Sequence, residues 1–219
     1  MRNESSSPQC TAGAEPSSRG MMHMHVPPGK ALKLHLGCGR TLLPGWENVD
    51  QVPAEGVTVA DLSKCRTEKL PYPDDSVEEI LASHVIEHLT DTLALMEELH
   101  RVAKPGCRAK FLLPYGESDD AWEDPTHVRP YYLGSFGYFA QPAYWRADYG
   151  YRGDWKVDTI TLQVSREAFN KFGKERLVEA IRHYRNIVTE MIVEMTAIKP
   201  ARAPKRELQT SPNIVVKID

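Results

Sequence analysis

Two glycines and an aspartate constrain this chain most. Leu34-His35-Leu36-Gly37-Cys38-Gly39-Arg40 runs a short apolar strand into a Gly-x-Gly turn, and Trp46-Glu47-Asn48-Val49-Asp50 is a second short strand ending on a carboxylate. Glycine lets backbone approach a ligand closely, and an acidic residue at the next strand end can accept both ribose hydroxyls. The pair therefore suits a nucleoside-containing cofactor. The interval from Gly39 to Asp50 contains the turn signal Pro44-Gly45 and is too short for a full crossover helix. The first helix is expected to be shortened.

The rest of the chain alternates strands with helical connections. Val57 to Ala60 and Ser76 to Ser83 read as strands, and Asp91 to Ala103 as a helix with Leu93, Met96, Leu99 and Val102 on one face. Asp91 or Thr90 is placed to cap it, and Pro105-Gly106 to stop it. Ala109 to Leu113, Val157 to Val164 and Ile214 to Ile218 complete the expected strands, and Glu175 to Ile198 reads as helical. This order predicts an α/β fold with a mostly parallel seven-stranded sheet flanked by helices, which binds ligands beyond the carboxyl ends of its strands. Residues 1–28, rich in Ser, Pro, Gly and Met, are expected to form a disordered leader, and residues 29–219 a single domain. An aromatic-rich insertion at about 115–152 is expected at the functional edge, as a lid, a substrate wall or added core.

Composition excludes several classes. A net charge of −3 gives no basic footprint for nucleic acid, and no apolar run reaches the ~20 residues of a membrane span. The four cysteines form neither a Cys-x-x-Cys pair nor a zinc-spaced set with histidine, so a reducing cytoplasm is the expected compartment.

Five segments stand in one order: Leu-Gly-Cys-Gly at 36–39, Asn-Val-Asp at 48–50, Ala-Asp-Leu at 60–62, Ser-His-Val-Ile-Glu-His-Leu at 83–89 and Glu-Leu-His-Arg-Val-Ala-Lys-Pro-Gly at 98–106. Together they resemble a class I S-adenosylmethionine-dependent methyltransferase of the type 11-like group, over roughly residues 32 to 165. The resemblance implies a Rossmann-like methyltransferase fold with S-adenosyl-L-methionine as cofactor. It places Gly37, Cys38 and Gly39 against the methionine portion and ribose, Asp50 on the ribose hydroxyls, Asp61 and Leu62 at the adenine, and Ser83 and His84 beside the transferable methyl. His35, Arg40, Thr41 and Cys107 depart from the pattern, and Arg40 either pairs with the cofactor carboxylate or is solvated.

The same resemblance puts the acceptor at Asp124-Pro125-Thr126-His127-Val128-Arg129-Pro130-Tyr131. His127 is the candidate general base, imidazole being the side chain suited to that role near neutral pH, with Asp124 or Tyr115 to orient it or touch substrate. The competing reading makes Asp124 and His127 a turn cap that anchors the insertion. No metal is expected: Asp119 and Asp120 read as hydrated surface carboxylates, and Glu87 and His88 as a helix-start and packing pair. The expected activity is O-methylation of a small-molecule, sugar- or lipid-like acceptor, and the sequence leaves room for a homodimer. Its alternatives are an NAD-type oxidoreductase and a non-catalytic binding module on the same fold.

Overall fold

All the strands expected from the sequence join one sheet. The computed structural model describes residues 32–218; the expected leader at 1–28 lies outside them. The strands are β1 (Leu32–Leu36), β2 (Glu47–Asp50), β3 (Val57–Val59), β4 (Val77–Ser83), β5 (Ala103–Pro114), β6 (Trp155–Val164), β7 (Val188–Ala197) and β8 (Asn213–Ile218). They are ordered β3-β2-β1-β4-β5-β7-β6-β8, with only β7 antiparallel among the described strands. The order reverses between β1 and β4, where an open α/β sheet forms its ligand crevice.

The sheet has eight strands rather than seven because the second half of the expected 175–198 helix is β7. Helix α3 (Arg166–His183) ends before Asn186, which turns the chain at φ 59°. Beyond it Met191, Val193, Met195 and Ala197 are buried while Ile192, Glu194 and Thr196 are not. That is a period of two, which a helix cannot bury. Leu177, Ile181, Tyr184 and Val188 recur at helical spacing across this break, yet Tyr184 is exposed.

Helix α1 (Thr92–Val102) forms where the 3.6-residue spacing placed it. Asp91 Oδ1 accepts from the Ala94 amide at 3.0 Å, and Leu95, Met96, Leu99 and Val102 are fully buried. The helix ends at Val102 before reaching Pro105-Gly106; that pair sits instead in β5, where the pairing with β4 slips from Val77↔Ala103 to Glu79↔Arg108. The Trp155 indole, fully buried, donates to Met96 O at 3.0 Å and locks α1 to β6.

No helix forms between β1 and β2; the connection is a loop held by Asn48. Its side-chain oxygen accepts from the Leu43 amide at 2.8 Å, and its NH2 donates to Leu43 O and Trp46 O at 3.3 and 3.2 Å. His35 Nδ1 lies 3.1 Å from the same oxygen, which makes it the donor and accounts for a histidine in β1. One side chain thus supplies the partners that helical hydrogen bonds would have given.

The segment expected as an aromatic insertion contains the short helix α2 (Asp120–Glu123) and two single turns, Ser135–Phe139 and Gln141–Trp145. Tyr131, Phe136, Phe139, Tyr144 and Tyr151 are buried in the main core, whereas Trp122, Tyr138 and Tyr149 are exposed. Most of these rings are core, and the insertion is tied down rather than free.

Candidate functional site

The carboxyl ends of β1, β2, β3 and β4 meet around a cleft of about 310 Å3. Its walls include Gly37, Asp50, Asp61, Leu62 and His84, five residues that the sequence assigned to cofactor binding. Cys38, Gly39 and Ser83 lie beside it without lining it.

Gly37 leaves β1 at φ +60°, and a Cβ there would sit 2.4 Å from Val85 Cγ2. Only glycine lets the β1 and β4 loops close together. Gly39 also has a positive φ, +51°, but with open space around it. Its amide donates to Asp50 Oδ2 at 2.8 Å, while Asp50 Oδ1 accepts from the Val52 amide at 2.9 Å. The carboxylate is fixed in direction, and each oxygen keeps a lone pair for a diol. Cys38 is buried, and burial, reinforced by the Asp50 charge, pushes its thiol up; it packs rather than reacts.

Asp61 caps the single turn Leu62–Lys64, with Oδ1 accepting from the Ser63 hydroxyl at 2.6 Å and amide at 3.0 Å. The Ser63 hydroxyl, ahead of its amide and Lys64, holds the carboxyl below its ordinary value, so it is an ionised acceptor at neutral pH. Buried Leu62 supplies an apolar wall. Two fixed carboxylates and an apolar side match the donors and base of an adenosine, and the residues present fit S-adenosylmethionine.

The loop after β4 carries the ionisable groups. His84 stands at φ 54°, unusual for a residue with a Cβ, with Nε2 3.2 Å from Glu190 Oε1 and Nδ1 3.4 Å from Glu87 Oε1. Glu87, then Glu190, holds this imidazole above its ordinary value against the effect of burial. Residues 86–88 form a single turn, which buries Glu87 and leaves His88 on the cleft wall.

The segment 124–131 packs on that turn, its Val128 amide donating to Glu87 O at 2.8 Å. Asp124 Oδ1 accepts from the Thr126 amide and hydroxyl at 2.8 and 2.6 Å, and the His127 amide donates to Asp124 O. This is the turn cap that competed with a catalytic Asp124. His127 Nε2 is 3.8 Å from Asp124 Oδ2, its side chain is 8% exposed, and its ring meets that of His88 edge-on at 4.6 Å. Arg129 stacks on Tyr131 at 5.1 Å.

Tyr115 is not brought to this group. Its ring packs against Tyr132, and its amide donates to Thr189 O. Burial pushes its phenol up, the wrong direction for a base at neutral pH. Asp119, expected as a hydrated surface carboxylate, is engaged by Arg185 and Asn186.

Sequence reasoning missed Gln51, Ala60, Ser63, Val85, His88 and Leu89 on the cleft wall. His88 carried a signal, standing four residues after His84 in the same loop, but its reading with Glu87 as a helix-start and packing pair hid it.

Residues 46–111 match the family model described as a methyltransferase domain. The ubiquinone/menaquinone biosynthesis C-methyltransferases UbiE of Xanthomonas oryzae pv. oryzae and Xanthomonas campestris pv. campestris are each 33% identical over 67 residues, 31% of this chain and 26% of theirs. The chain thus spans about a quarter of the length of these curated relatives. A crystal structure of a SAM dependent methyltransferase from Archaeoglobus fulgidus superposes with a TM-score of 0.52 at 17% identity, covering 77% of this chain and 86% of that one. The fold is the Rossmann-like fold of class I S-adenosylmethionine-dependent methyltransferases. The matched stretch 46–111 contains Asp50, Asp61, His84, Glu87 and His88 but neither the glycine loop nor His127. No described helix is long and apolar enough to cross a membrane.

Proposed function

We propose that this chain is an S-adenosylmethionine-dependent methyltransferase acting on oxygen of a small-molecule acceptor. The observation that carries the reading is the convergence of Gly37, Asp50, Asp61 and His88 from four separate strand ends on one cleft. Bound there, the cofactor supplies a methyl carbon on a positively charged sulfur, open to in-line displacement. Asp50 accepts from the ribose hydroxyls, Asp61 from the adenine amine, and Gly37 to Gly39 pass against the methionine portion. Ser83 and His84 border the methyl.

The acceptor approaches past His88, and its hydroxyl proton is removed at the group formed by Glu87, His88 and His127. His127 is the candidate base that the sequence singled out, and Asp124 orients it through their shared turn. The relatives named C-methyltransferases act on carbon; oxygen is favoured here by the paired imidazoles beside the cleft, since a hydroxyl of high pKa gains most from proton removal. A dinucleotide oxidoreductase is the weaker reading, because the β1–β2 connection lacks the helix whose amino end would meet a pyrophosphate.

The test is mass spectrometry of metabolite extracts incubated with the protein and methyl-labelled S-adenosylmethionine. A labelled product bearing an O-methyl group is expected, and His127→Ala should reduce its rate about a hundredfold or more. Label on carbon or nitrogen would overturn the acceptor, and full activity in His127→Ala would remove the base.

A further inference from the structure

We propose that Glu87, His88 and His127 bind a first-row divalent transition-metal ion at the acceptor end of the cleft. One ligand atom from each lies within 4.8 Å of the others. The Glu87 side chain is 3% exposed, with the His84 imidazole 3.4 Å from Oε1 and no partner for Oε2, and His127 Nδ1 is likewise buried without a hydrogen-bond partner. Buried polar atoms are almost always satisfied, and a buried carboxylate needs a cation or donors. Here Glu87 Oε2 and His127 Nδ1 are orphaned within one cluster, and His84 reaches only the other carboxylate oxygen.

A hydrogen-bond relay readies the third ligand. The Thr126 hydroxyl gives its only proton to Asp124 Oδ1 at 2.6 Å, so it accepts from His88 Nδ1–H at 2.9 Å. His88 is thereby held in the tautomer whose Nε2 has a free lone pair. Carboxylate-linked second partners of this kind orient metal-binding histidines. Two imidazoles and one carboxylate favour zinc, cobalt or iron(II) over magnesium or calcium, which prefer oxygen alone. Bonds of about 2.1 Å place tetrahedral ligands about 3.4 Å apart, so loading draws the three side chains together.

Because His88 belongs to both cluster and cleft, an ion held here borders the cleft. Its open position can take the acceptor hydroxyl and lower its pKa, releasing the proton to water. The oxygen then forms the C–O bond as the C–S bond of the sulfonium breaks and the thioether leaves. His127 in this state is a ligand, and the ion does the deprotonation. This last role rests on the methyltransferase reading; metal binding does not.

The test is titration of the chelator-treated full-length chain with cobalt(II), in a background where His23 and His25 are replaced by alanine. One ion per chain is expected, with visible absorption of a four- or five-coordinate site that zinc displaces. Glu87→Gln and His127→Ala should each weaken binding about a hundredfold or more, and Thr126→Val about tenfold, with unchanged far-ultraviolet circular dichroism. No stoichiometric binding by the background protein, or full affinity in the folded Glu87→Gln and His127→Ala variants, overturns the site. Should a variant misfold, X-ray absorption on the cobalt-loaded background protein decides: two imidazoles support the site and fewer overturn it. Metal binding without S-adenosylmethionine binding would sink the methyltransferase reading and leave the site standing.

Discussion

The amide of Gly39 donates to Asp50 Oδ2 at 2.8 Å, which ties the turn after β1 to the carboxylate that ends β2. One aspartate thus shapes the glycine loop and, in the proposed function, receives the ribose. Asp50→Ala removes both roles. Its affinity for S-adenosylmethionine should fall by on the order of 1–3 kcal/mol, read by calorimetry. Unchanged affinity would take Asp50 out of the site.

The two loop glycines should respond differently to alanine. At Gly39 the only cost is a left-handed φ, about 1–2 kcal/mol, because nothing lies within 4 Å of the added carbon. At Gly37 the same cost is joined by overlap with Val85. Gly37→Ala should therefore lower the thermal midpoint more, and adding Val85→Ala should recover part of the loss. Equal midpoints for the two single variants would show that the loop yields without strain.

Asn48 should matter beyond its size. Truncation to alanine leaves the Leu43 amide, the Leu43 and Trp46 carbonyls and the His35 ring short of partners. A loss of about 1–3 kcal/mol in denaturant unfolding is expected. Less than 0.5 kcal/mol would mean that water replaces the amide freely.

How much of this was legible before the structure varied with the range of the contacts involved. Helix α1 was readable because its apolar spacing and its Asp91 cap agree within a few residues. The cleft aspartates were readable because each stands at or just past the end of a short strand, Asp50 closing β2 and Asp61 following β3. Strand β7 was misread: Leu177, Ile181 and Val188 mimic a helical stripe, and the interruption is one left-handed asparagine, Asn186. The Glu87–His88–His127 cluster joins positions 39 and 40 residues apart across a turn clamp. No local period reports such a meeting, so Glu87 and His88 read as packing.

Acid should weaken the fold through Asp154. Its carboxylate is fully buried, and burial alone would raise its pKa. Arg202, at 2.7 and 2.8 Å, with its own amide and that of Gln141, outweighs this and leaves the folded value lowered. A lowered folded value means the stabilisation is complete above the unfolded value of about 3.9 and is lost as pH falls below it. The thermal midpoint should drop as pH falls from about 4 toward the lower folded value, and Asp154→Asn should flatten that drop. Arg202→Met at neutral pH, which strands the buried charge, should cost about 3 kcal/mol or more. A pH profile identical in Asp154→Asn would assign the acid sensitivity elsewhere.

The identity of the cofactor is read by calorimetry of the chain with S-adenosylmethionine and with NAD. One S-adenosylmethionine bound per chain, displaced by S-adenosylhomocysteine, and no heat from NAD is the expected result. Tighter binding of NAD, or no binding of S-adenosylmethionine by folded protein, would contradict it.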